Sequence, residues 1–301
     1  MGVSERLSGG MEPLPLIVDG MALGAIYALA SLAFVLILNG VGAVNLAHGD
    51  LVTLGGFVAI AIAAWAPAWP GLMFLPAVAL IMAVGGFLLV AVIPRRPRRD
   101  APDDVAISTF AVGAILAAFL AAALGPEPAH GPPLLGRGTI DLFGIGLSRQ
   151  SLVVILAAAL LVPAVHVLLN STQFGRRLRA AGQDPELARA LGIHTGRFAA
   201  MTFGLGTMMA GIAGMLLADR FQISAGYGLD LLVKSYIAVA IAGWGRAGPA
   251  ALVALLIALF QTAVSVIAPP VVADAVVYAA LLALLVVQPQ GLFGPAAQRR
   301  A

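Results

Sequence analysis

Long apolar runs separated by short polar segments make up most of this chain. A helix that crosses the hydrocarbon core of a bilayer, about 30 Å thick, needs about 20 apolar residues. Eight runs predict such spans: Leu16–Leu38, Leu51–Trp69, Leu72–Ile93, Val105–Leu124, Ser151–Leu169, Phe198–Leu217, Ala250–Ile267 and Ala275–Val287. A ninth run, Leu231–Gly243, is shorter and predicts a half-helix or a tilted insertion. The pattern therefore predicts an all-α, polytopic transmembrane bundle with eight or nine spans.

The positions of the arginine residues predict the topology. Three clusters stand after the third span, in the polar segment after the fifth span, and in the tail: Arg95, Arg96, Arg98 and Arg99; Arg176, Arg177, Arg179, Arg189 and Arg197; Arg299 and Arg300. Segments rich in Lys and Arg stay on the cytoplasmic side of a membrane. The three clusters share one side only if Leu231–Gly243 also crosses. We therefore predict nine crossings, with the amino terminus outside and the carboxyl terminus inside.

Composition agrees with a membrane protein and excludes several kinds of site. Hydrophobic residues make up 61% of the chain and charged residues 10%, whereas a soluble domain is roughly 25% charged. The net charge of +3 reflects arginines in loops, so we expect a lipid bilayer as partner and no nucleic acid. The chain has no cysteine, and its four histidines, His48, His130, His166 and His194, form no ligand cluster. We expect no metal, no other cofactor and no catalytic residue.

The polar, arginine-rich segment 170–197 contains one short helix whose two ends are both indicated by the sequence. Asp184 is suited to cap the first free amides, Pro185 to occupy the first helical position, and Glu186 to face the positive end of the dipole. Gly192 is the residue type that commonly ends a helix. A two-turn helix on the aqueous side of a membrane protein predicts a contact for another protein.

No soluble domain is predicted besides the membrane-embedded one. The segment Gly125–Gln150 is rich in Pro and Gly and predicts an irregular cap on the outer side. We therefore interpret residues 1–301 as a single transmembrane domain that carries the cytoplasmic loop 170–197.

The segment Asn39–Asp50 places polar residues and glycines between two apolar runs. One interpretation is a cytoplasmic turn followed by a capped helix. The other is a break in the helix beside a translocation path, because irregular backbone at membrane depth is tolerated only where protein or a water-filled cavity satisfies its polar groups. His48 within this segment is also a residue that commonly makes only a local hydrogen bond.

A few polar residues interrupt the spans, and small residues follow a helical period in the sixth. Asp19 and Lys234 fall near the predicted outer surface, where snorkelling of Lys234 is sufficient to explain its position. We find no facing carboxylates or buried Arg/Asp pairs of the kind that an ion-coupled carrier needs. Gly206, Ala210 and Gly214 stand four residues apart, which favours close helix packing over the lining of a narrow pore.

Several of these segments together resemble a known family of permeases. The segments are GMALGAIYALASLAFVLILNGVGAVNLAHGDLVTLGGFVA, GRRLRAAGQDPELARALGIHTGRFAAMTFGLGTMMAGIAGMLLA and the ending VVQPQGLFG. They resemble the LivH-type permeases, the membrane subunits of bacterial branched-chain amino acid ABC importers. The resemblance extends from about Gly20 to Gly294. Its most specific parts are Asn45–Asp50, the loop Gly175–Ile193, and the ending with Pro289 and Gly291.

The resemblance implies a mechanism and a set of partners. The implied partners are a second permease subunit of the same family, two cytoplasmic ATP-binding subunits and a periplasmic solute-binding protein. The implied location is the bacterial inner membrane. The short helix then becomes a coupling helix, with the contact residues Asp184, Pro185, Glu186, Leu187, Arg189, Leu191 and Gly192. We assign the translocation path, as a hypothesis, to Tyr27, Ser31, Asn45, His48, Asp50 and Thr53. The chain has no GxxxxGK[ST] loop, so partners would hydrolyse the ATP.

One departure from the family pattern and several alternative functions remain open. Where the family has a turn of small residues, this chain has Ala242–Gly248, with the bulky Trp244 and the charged Arg246. This departure bears on local packing and on the substrate. Related permeases carry urea or short amides, and these solutes are alternatives to branched-chain amino acids. An ion-coupled secondary carrier, an intramembrane enzyme and a purely structural subunit are alternative classes.

Overall fold

The computed structural model describes residues 13–91, 93, 104–125, 127–142, 145–288 and 291–292. Within these ranges the chain forms eleven helices and one hairpin. The helices are α1 (Pro13–Val41), α2 (His48–Trp65), α3 (Gly71–Leu89), α4 (Asp104–Leu124), α5 (Arg149–Ser171), α6 (Gln173–Gln183), α7 (Pro185–Ala190), α8 (Thr195–Arg220), α9 (Tyr227–Ala242), α10 (Ala247–Ile267) and α11 (Pro270–Val287). The basic clusters 95–99 and 299–300, and Pro289 of the family-like ending, lie outside the described residues.

The predicted all-α, polytopic transmembrane architecture is confirmed. Seven helices, α1 to α5, α8 and α10, are long and apolar enough to cross a membrane. Helix α11 has a shorter apolar stretch, Val271–Val287, and α9 has 16 residues. Helix α9 begins inside the bundle and runs to the basic face, as the contacts below show. The chain is therefore a multi-pass membrane protein.

Helices α1 and α8 form the antiparallel centre of the bundle. At one end, Arg220 Nη2 lies 2.7 Å from Asp19 Oδ2, and the Ser151 hydroxyl donates to Asp19 at 2.7 Å. At the other end, Gly40 packs directly against Thr202. We call the first end the far face. The second end, which carries the arginines of α6 and α7, we call the basic face.

The small residues of α8 serve helix packing, as their spacing predicted. A Cβ atom on Gly206 would lie 2.4 Å from the side chain of Ile37 on α1. One on Gly214 would lie 1.7 Å from the carbonyl oxygen of Val52 on α2. Because lipid gives helices no hydrophobic reason to associate, such close backbone contacts are what hold membrane bundles together.

Two groups of four helices, α1–α4 and α8–α11, have the same order and opposite orientation. In each group the first helix is central and the second begins after a short irregular segment. The third helix of each group packs along the first helix of the other, α3 on α8 and α10 on α1. This arrangement is an inverted repeat, an architecture common in transporters.

The predicted polar loop 170–197 is more helical than its sequence indicated, because α6 precedes the expected short helix. The Thr172 hydroxyl caps α6 by accepting a hydrogen bond from the amide of Gly175 at 3.1 Å. Gly175, Leu178 and Ala181 are buried at helical spacing, whereas Arg176 and Arg177 are exposed and the half-buried Arg179 donates to the Leu169 carbonyl. The few apolar positions of this amphipathic helix were not recognised because three arginines and two glutamines stand among them.

The segment predicted as an irregular cap, Gly125–Gln150, contains a two-stranded hairpin. Strands β1 (Thr139–Leu142) and β2 (Ile145–Ser148) pair antiparallel, with Thr139 opposite Ser148. The expectation of wholly irregular structure was therefore wrong. The two strands, Thr-Ile-Asp-Leu and Ile-Gly-Leu-Ser, satisfy their backbone groups by pairing with each other.

Candidate functional site

Helix α7 on the basic face has the capped structure that its sequence predicted. Asp184 Oδ1 accepts hydrogen bonds from the amides of Glu186 at 3.0 Å and Leu187 at 2.9 Å. Pro185 occupies the first helical position, where no amide hydrogen is needed. The amino end of this six-residue helix is thus fixed by its own sequence.

The carboxyl end of α7 closes with a Schellman motif. Gly192 has a φ of 79°, in the left-handed region that glycine adopts without strain. The Ile193 amide donates to the Ala188 carbonyl and the Gly192 amide donates to the Arg189 carbonyl, both at 2.9 Å. Both ends of the helix are therefore closed, and its orientation is well defined.

Helix α7 presents an apolar ridge to solvent. Ala188 is buried and faces the bundle, whereas Leu187 is 58% exposed and Leu191 is 72% exposed. Residues four apart lie on the same side of a helix, so the two leucines form one continuous surface. Glu186 and Arg189 are exposed beside them. Apolar side chains held in water by a capped helix are characteristic of a protein contact.

Helix α6 links this ridge to the end of α1. A Cβ atom on Gly182 would lie 2.2 Å from the Asn39 carbonyl oxygen, and one on Gly42 would lie 2.3 Å from the Gly182 carbonyl oxygen. The Asn39 side chain also donates to the carbonyl of Gly245, after α9, at 2.9 Å. A displacement of α6 and α7 would therefore move the end of α1 directly.

The segment between α1 and α2 returns into the bundle before α2 begins. The ring of His48, the first residue of α2, lies edge-on to Phe34 with the centroids 5.3 Å apart. Phe34 stands seven residues before the end of α1, a distance of about 10 Å along a helix. The Thr109 hydroxyl of α4 accepts a hydrogen bond from the Leu46 amide at 3.0 Å and so satisfies irregular backbone inside the bundle.

Helix α9 also begins inside the bundle, where it meets the start of α2. The preceding segment lies toward the far face, where Ile223 and Ala129 exchange two backbone hydrogen bonds. A Cβ atom on Gly49 would lie 1.8 Å from the Gly228 carbonyl oxygen. From there α9 runs to the basic face, where Gly245 lies against Asn39. The short run Leu231–Gly243 is therefore part of a crossing whose first residues, 221–226, are not helical.

The structure brings part of the predicted translocation-path set together around these two helix starts. Tyr27 and Ser31 share one face of α1 with Phe34, which contacts His48 of α2 and lies 6.1 Å from the Tyr236 ring of α9. Asp50 lies against Gly228 of α9 and Gly113 of α4. Asn45 stands in the irregular segment, and its side-chain oxygen accepts a hydrogen bond from the Ala47 amide at 3.0 Å.

Several of these side chains are buried with polar atoms that have no partner. The Ser31 hydroxyl, the Asn45 side-chain nitrogen and both ring nitrogens of His48 make no hydrogen bond of normal geometry. The backbone carbonyl of Ala30 lies near the His48 ring, but the two groups do not meet the geometry of a hydrogen bond. Thr53, by contrast, donates to the Gly49 carbonyl of its own helix at 3.1 Å. Buried polar groups without partners are rare in native proteins and are often associated with function.

Lys234 does not snorkel to the membrane surface, and the expectation that it would do so was wrong. Its side chain is only 3% exposed. The ammonium group lies 2.9 Å from Asp230 and 3.1 Å from Asp274, and it donates to the Tyr27 hydroxyl at 3.2 Å. Buried charges of this kind are stable only when paired, and here two carboxylates supply the pairing.

This Lys234 cluster joins four helices, α1, α9, α10 and α11. Tyr27 donates to Gln261 at 3.0 Å, Gln261 donates to Asp274 at 2.8 Å, and Tyr278 donates to Asp230. We also expected no facing carboxylates in the spans, and this was wrong as well, because Asp230 and Asp274 both face the Lys234 ammonium. Asp230 and Asp274 stood immediately before two predicted spans, whereas the helices begin earlier, at Tyr227 and Pro270.

Comparison with known proteins agrees with this architecture. A family described as branched-chain amino acid transport system / permease component matches residues 16–285. The LivH high-affinity branched-chain amino acid permease of Salmonella typhimurium is 26% identical over 92% of this chain and 94% of its own length. The BraD permease of Pseudomonas aeruginosa, which bears the same description, is 24% identical over the same shares.

Two further similarities are more distant or more local. The ribose import permease RbsC of Bacillus subtilis is 32% identical over 39% of this chain and 38% of its own length. In the solved structure of PsaBC from Streptococcus pneumoniae in complex with Fab, one chain superposes with a TM-score of 0.52 at 11% identity, covering 96% of this chain and 97% of that one. This last match shows a shared fold alone. Because the family matches most of the chain, the protein belongs to the branched-chain amino acid transport system permease component family.

Proposed function

We propose that this chain is the inner-membrane subunit of an ATP-powered bacterial importer for branched-chain or related hydrophobic amino acids. The observation that carries the proposal is the exposed Leu187 and Leu191 ridge on a doubly capped helix. A transport subunit without an ATP-binding loop needs such a surface in order to receive work from separate ATPase subunits. The relatives named for branched-chain amino acid transport support the solute class.

The contacts between α7 and the bundle give a route by which ATPase movement would reach the solute path. An ATPase groove would bind Leu187 and Leu191. Helix α6 would pass the motion to Asn39 at the end of α1, because Gly182 leaves no space between them. Since Phe34 of α1 contacts His48, the starts of α2 and α9 would shift with it.

The starts of α2 and α9 form the centre of the proposed path. Amino termini of helices carry a partial positive charge, and discontinuous helices in transporters direct these ends toward solutes. Asp50 adds a carboxylate at the same level. A zwitterionic amino acid carries one charge of each sign and suits this arrangement. Tyr27, Ser31, Asn45 and Thr53 complete the assigned set, all of them buried, so solute passage requires the helices to separate.

The remaining subunits of the proposed importer follow from this mechanism. A second permease of the same family would complete the path, two cytoplasmic ATP-binding subunits would bind the basic face, and a periplasmic protein would deliver the solute. ATP hydrolysis belongs to the partners, and this chain acts as a transport subunit rather than as an enzyme. Its own role is to open the path in step with nucleotide binding.

One observation supports a second candidate function. The Lys234 cluster places a buried cation between two carboxylates inside the bundle, which is the kind of group that an ion-coupled carrier uses. Such a carrier would transport its solute without ATP and in response to an ion gradient. The dependence on ATP therefore separates the two candidates.

The proposal is tested by uptake into membrane vesicles that contain this chain, the neighbouring permease, both ATPases and the binding protein. Labelled leucine, isoleucine and valine are compared with urea and short amides. We expect ATP-dependent leucine uptake that is lost when this chain is omitted. Uptake of urea or an amide instead would show that the chain serves an ATP-powered importer for a different solute. Uptake driven by an ion gradient alone would favour the carrier.

A further inference from the structure

A cavity of about 830 Å³ opens at the basic face between the end of α3 and the segment that joins α7 to α8. Its lining combines arginine and histidine side chains with apolar ones: Phe87, Leu88, Val90, Ala91, Arg189, Gly192, Ile193, His194, Thr195, Gly196, Arg197, Ala200 and Met201. No acidic residue is among these lining residues. The ionisable side chains that line the cavity are therefore all basic.

The apolar part of the lining continues into the membrane along α3. Phe87 and Leu88, at the cavity, are both more than half exposed. Leu80 and Val84 precede them at helical spacing and are exposed as well. This row extends about 12 Å from the cavity toward the centre of the membrane. The row is long enough to hold much of an acyl chain.

The charged part of the lining faces the aqueous side of the same cavity. Arg189 and Arg197 are both exposed, and His194 stands between them in the chain. Thr195 begins the 26-residue helix α8, whose amino terminus adds to the positive potential. A phosphate group placed here would meet two guanidinium groups, the residue type best suited to bind it.

The depth of the cavity matches the headgroup layer. It lies where one spanning helix, α3, ends and another, α8, begins. Leu187 and Leu191 are absent from its lining, whereas Arg189 and Gly192 of the proposed coupling set belong to it. The apolar ridge that would bind an ATPase therefore stays clear of the cavity, and the two surfaces meet at Arg189.

We propose that this cavity binds an anionic phospholipid, with its phosphate at Arg189 and Arg197 and an acyl chain along Phe87, Val84 and Leu80. Basic cavities between membrane helices on the cytoplasmic side are suited to anionic headgroups. The apolar row continuous with the arginines favours a lipid over free phosphate or a nucleotide, because only a lipid carries an acyl chain for the row together with a phosphate for the arginines. Bound lipid would fix the segment between α7 and α8 relative to α3.

Native mass spectrometry of the purified chain in detergent tests this proposal directly, with phosphatidylglycerol and phosphatidylcholine as probes. We expect phosphatidylglycerol to bind more tightly. The double variant Arg189→Gln with Arg197→Gln should weaken this binding by about 25-fold, or roughly fivefold per arginine near the membrane surface. Arg176→Gln with Arg177→Gln removes the same charge from exposed positions of α6 outside the cavity and should leave binding unchanged.

Two further arms separate the possible occupants. Ala91→Trp fills the apolar part of the cavity without changing its charge and should weaken phosphatidylglycerol binding. Inorganic phosphate at millimolar concentration should not displace the lipid. Equal binding of the two lipids, unchanged binding by the double arginine variant, or displacement by phosphate would each overturn the proposal. The measurement needs neither ATPase nor uptake, so its failure would be distinct from a failure of the transport function.

Discussion

Gly49 and Gly228 lie in direct backbone contact where α2 and α9 begin. A Cβ atom on Gly49 would lie 1.8 Å from the Gly228 carbonyl oxygen and 2.9 Å from the amide nitrogen of Leu232. One on Gly228 would lie 2.3 Å from Asp50 Oδ1. The two helix starts, one from each half of the inverted repeat, thus meet backbone to backbone, with the Asp50 side chain packed against Gly228.

We predict that Gly49→Ala destabilises the protein, because backbone atoms that cannot rotate away block the added methyl group. Overpacking of this kind costs about 1–3 kcal/mol. Thermal unfolding of the purified chain in detergent measures the effect. The matched control is Gly85→Ala in α3, where a Cβ atom meets nothing within 4 Å. That variant should be neutral or slightly stabilised, because alanine favours a helix. Equal midpoints for both variants would contradict the contact.

Lys234→Met should also lower stability, because it leaves the carboxylates of Asp230 and Asp274 without their shared cation. Breaking a fully buried ion pair costs about 3–5 kcal/mol, and partial exposure of both aspartates reduces this to about 2–3 kcal/mol. Lys234→Met combined with Asp274→Asn should recover part of the loss. A double-mutant cycle on thermal unfolding measures the coupling. Simple additivity of the two changes would mean that the pair is not coupled.

Asp184→Ala should weaken coupling without affecting membrane insertion. Loss of an N-cap costs about 1 kcal/mol, which reduces the population of ordered helix about fivefold when the helix is marginal. ATP-dependent uptake should fall by a similar factor. Asp184→Asn retains an acceptor oxygen and should keep near-normal uptake. If asparagine were as damaging as alanine, the cap would not be what matters at this position.

His48→Leu separates a structural role from a transport role. The imidazole has no hydrogen-bonding partner of normal geometry, so its removal relieves a desolvation cost while it gives up the edge contact with Phe34. These effects oppose each other, and we expect the thermal midpoint to change by less than about 3 °C. Uptake should fall, whereas His166→Leu at an exposed position should leave it unchanged. Normal uptake by the His48 variant would remove this residue from the path.

Apolar run length predicted the membrane helices well, because burial in lipid acts on each helix separately. The capped helix α7 was also predictable, since Asp184, Pro185 and Gly192 satisfy its ends through neighbouring residues. These features depend on contacts within a few positions of the chain. These local features form regardless of how the other helices of the bundle pack.

Features that depend on distant parts of the chain were not visible in the sequence. Gly49 and Gly228 are 179 positions apart, and neither glycine indicates its partner. Lys234 appeared to be a surface residue because Asp274 lies on another helix and both aspartates stand at the edges of apolar runs. The inverted repeat likewise emerges from packing, with only small residues shared between the two central helices.

The most direct test of the transport account is ATP-dependent leucine uptake by the complete assembly carrying Leu187→Asp with Leu191→Asp. We predict that uptake falls to the level measured without ATP, while the chain still inserts and keeps its thermal midpoint. Leu135→Asp with Ile140→Asp changes two exposed apolar residues at or beside the hairpin and should leave uptake intact. Normal ATP-dependent uptake by the α7 variant would contradict the assignment of this ridge as the site at which the ATPase subunits bind and are coupled to transport.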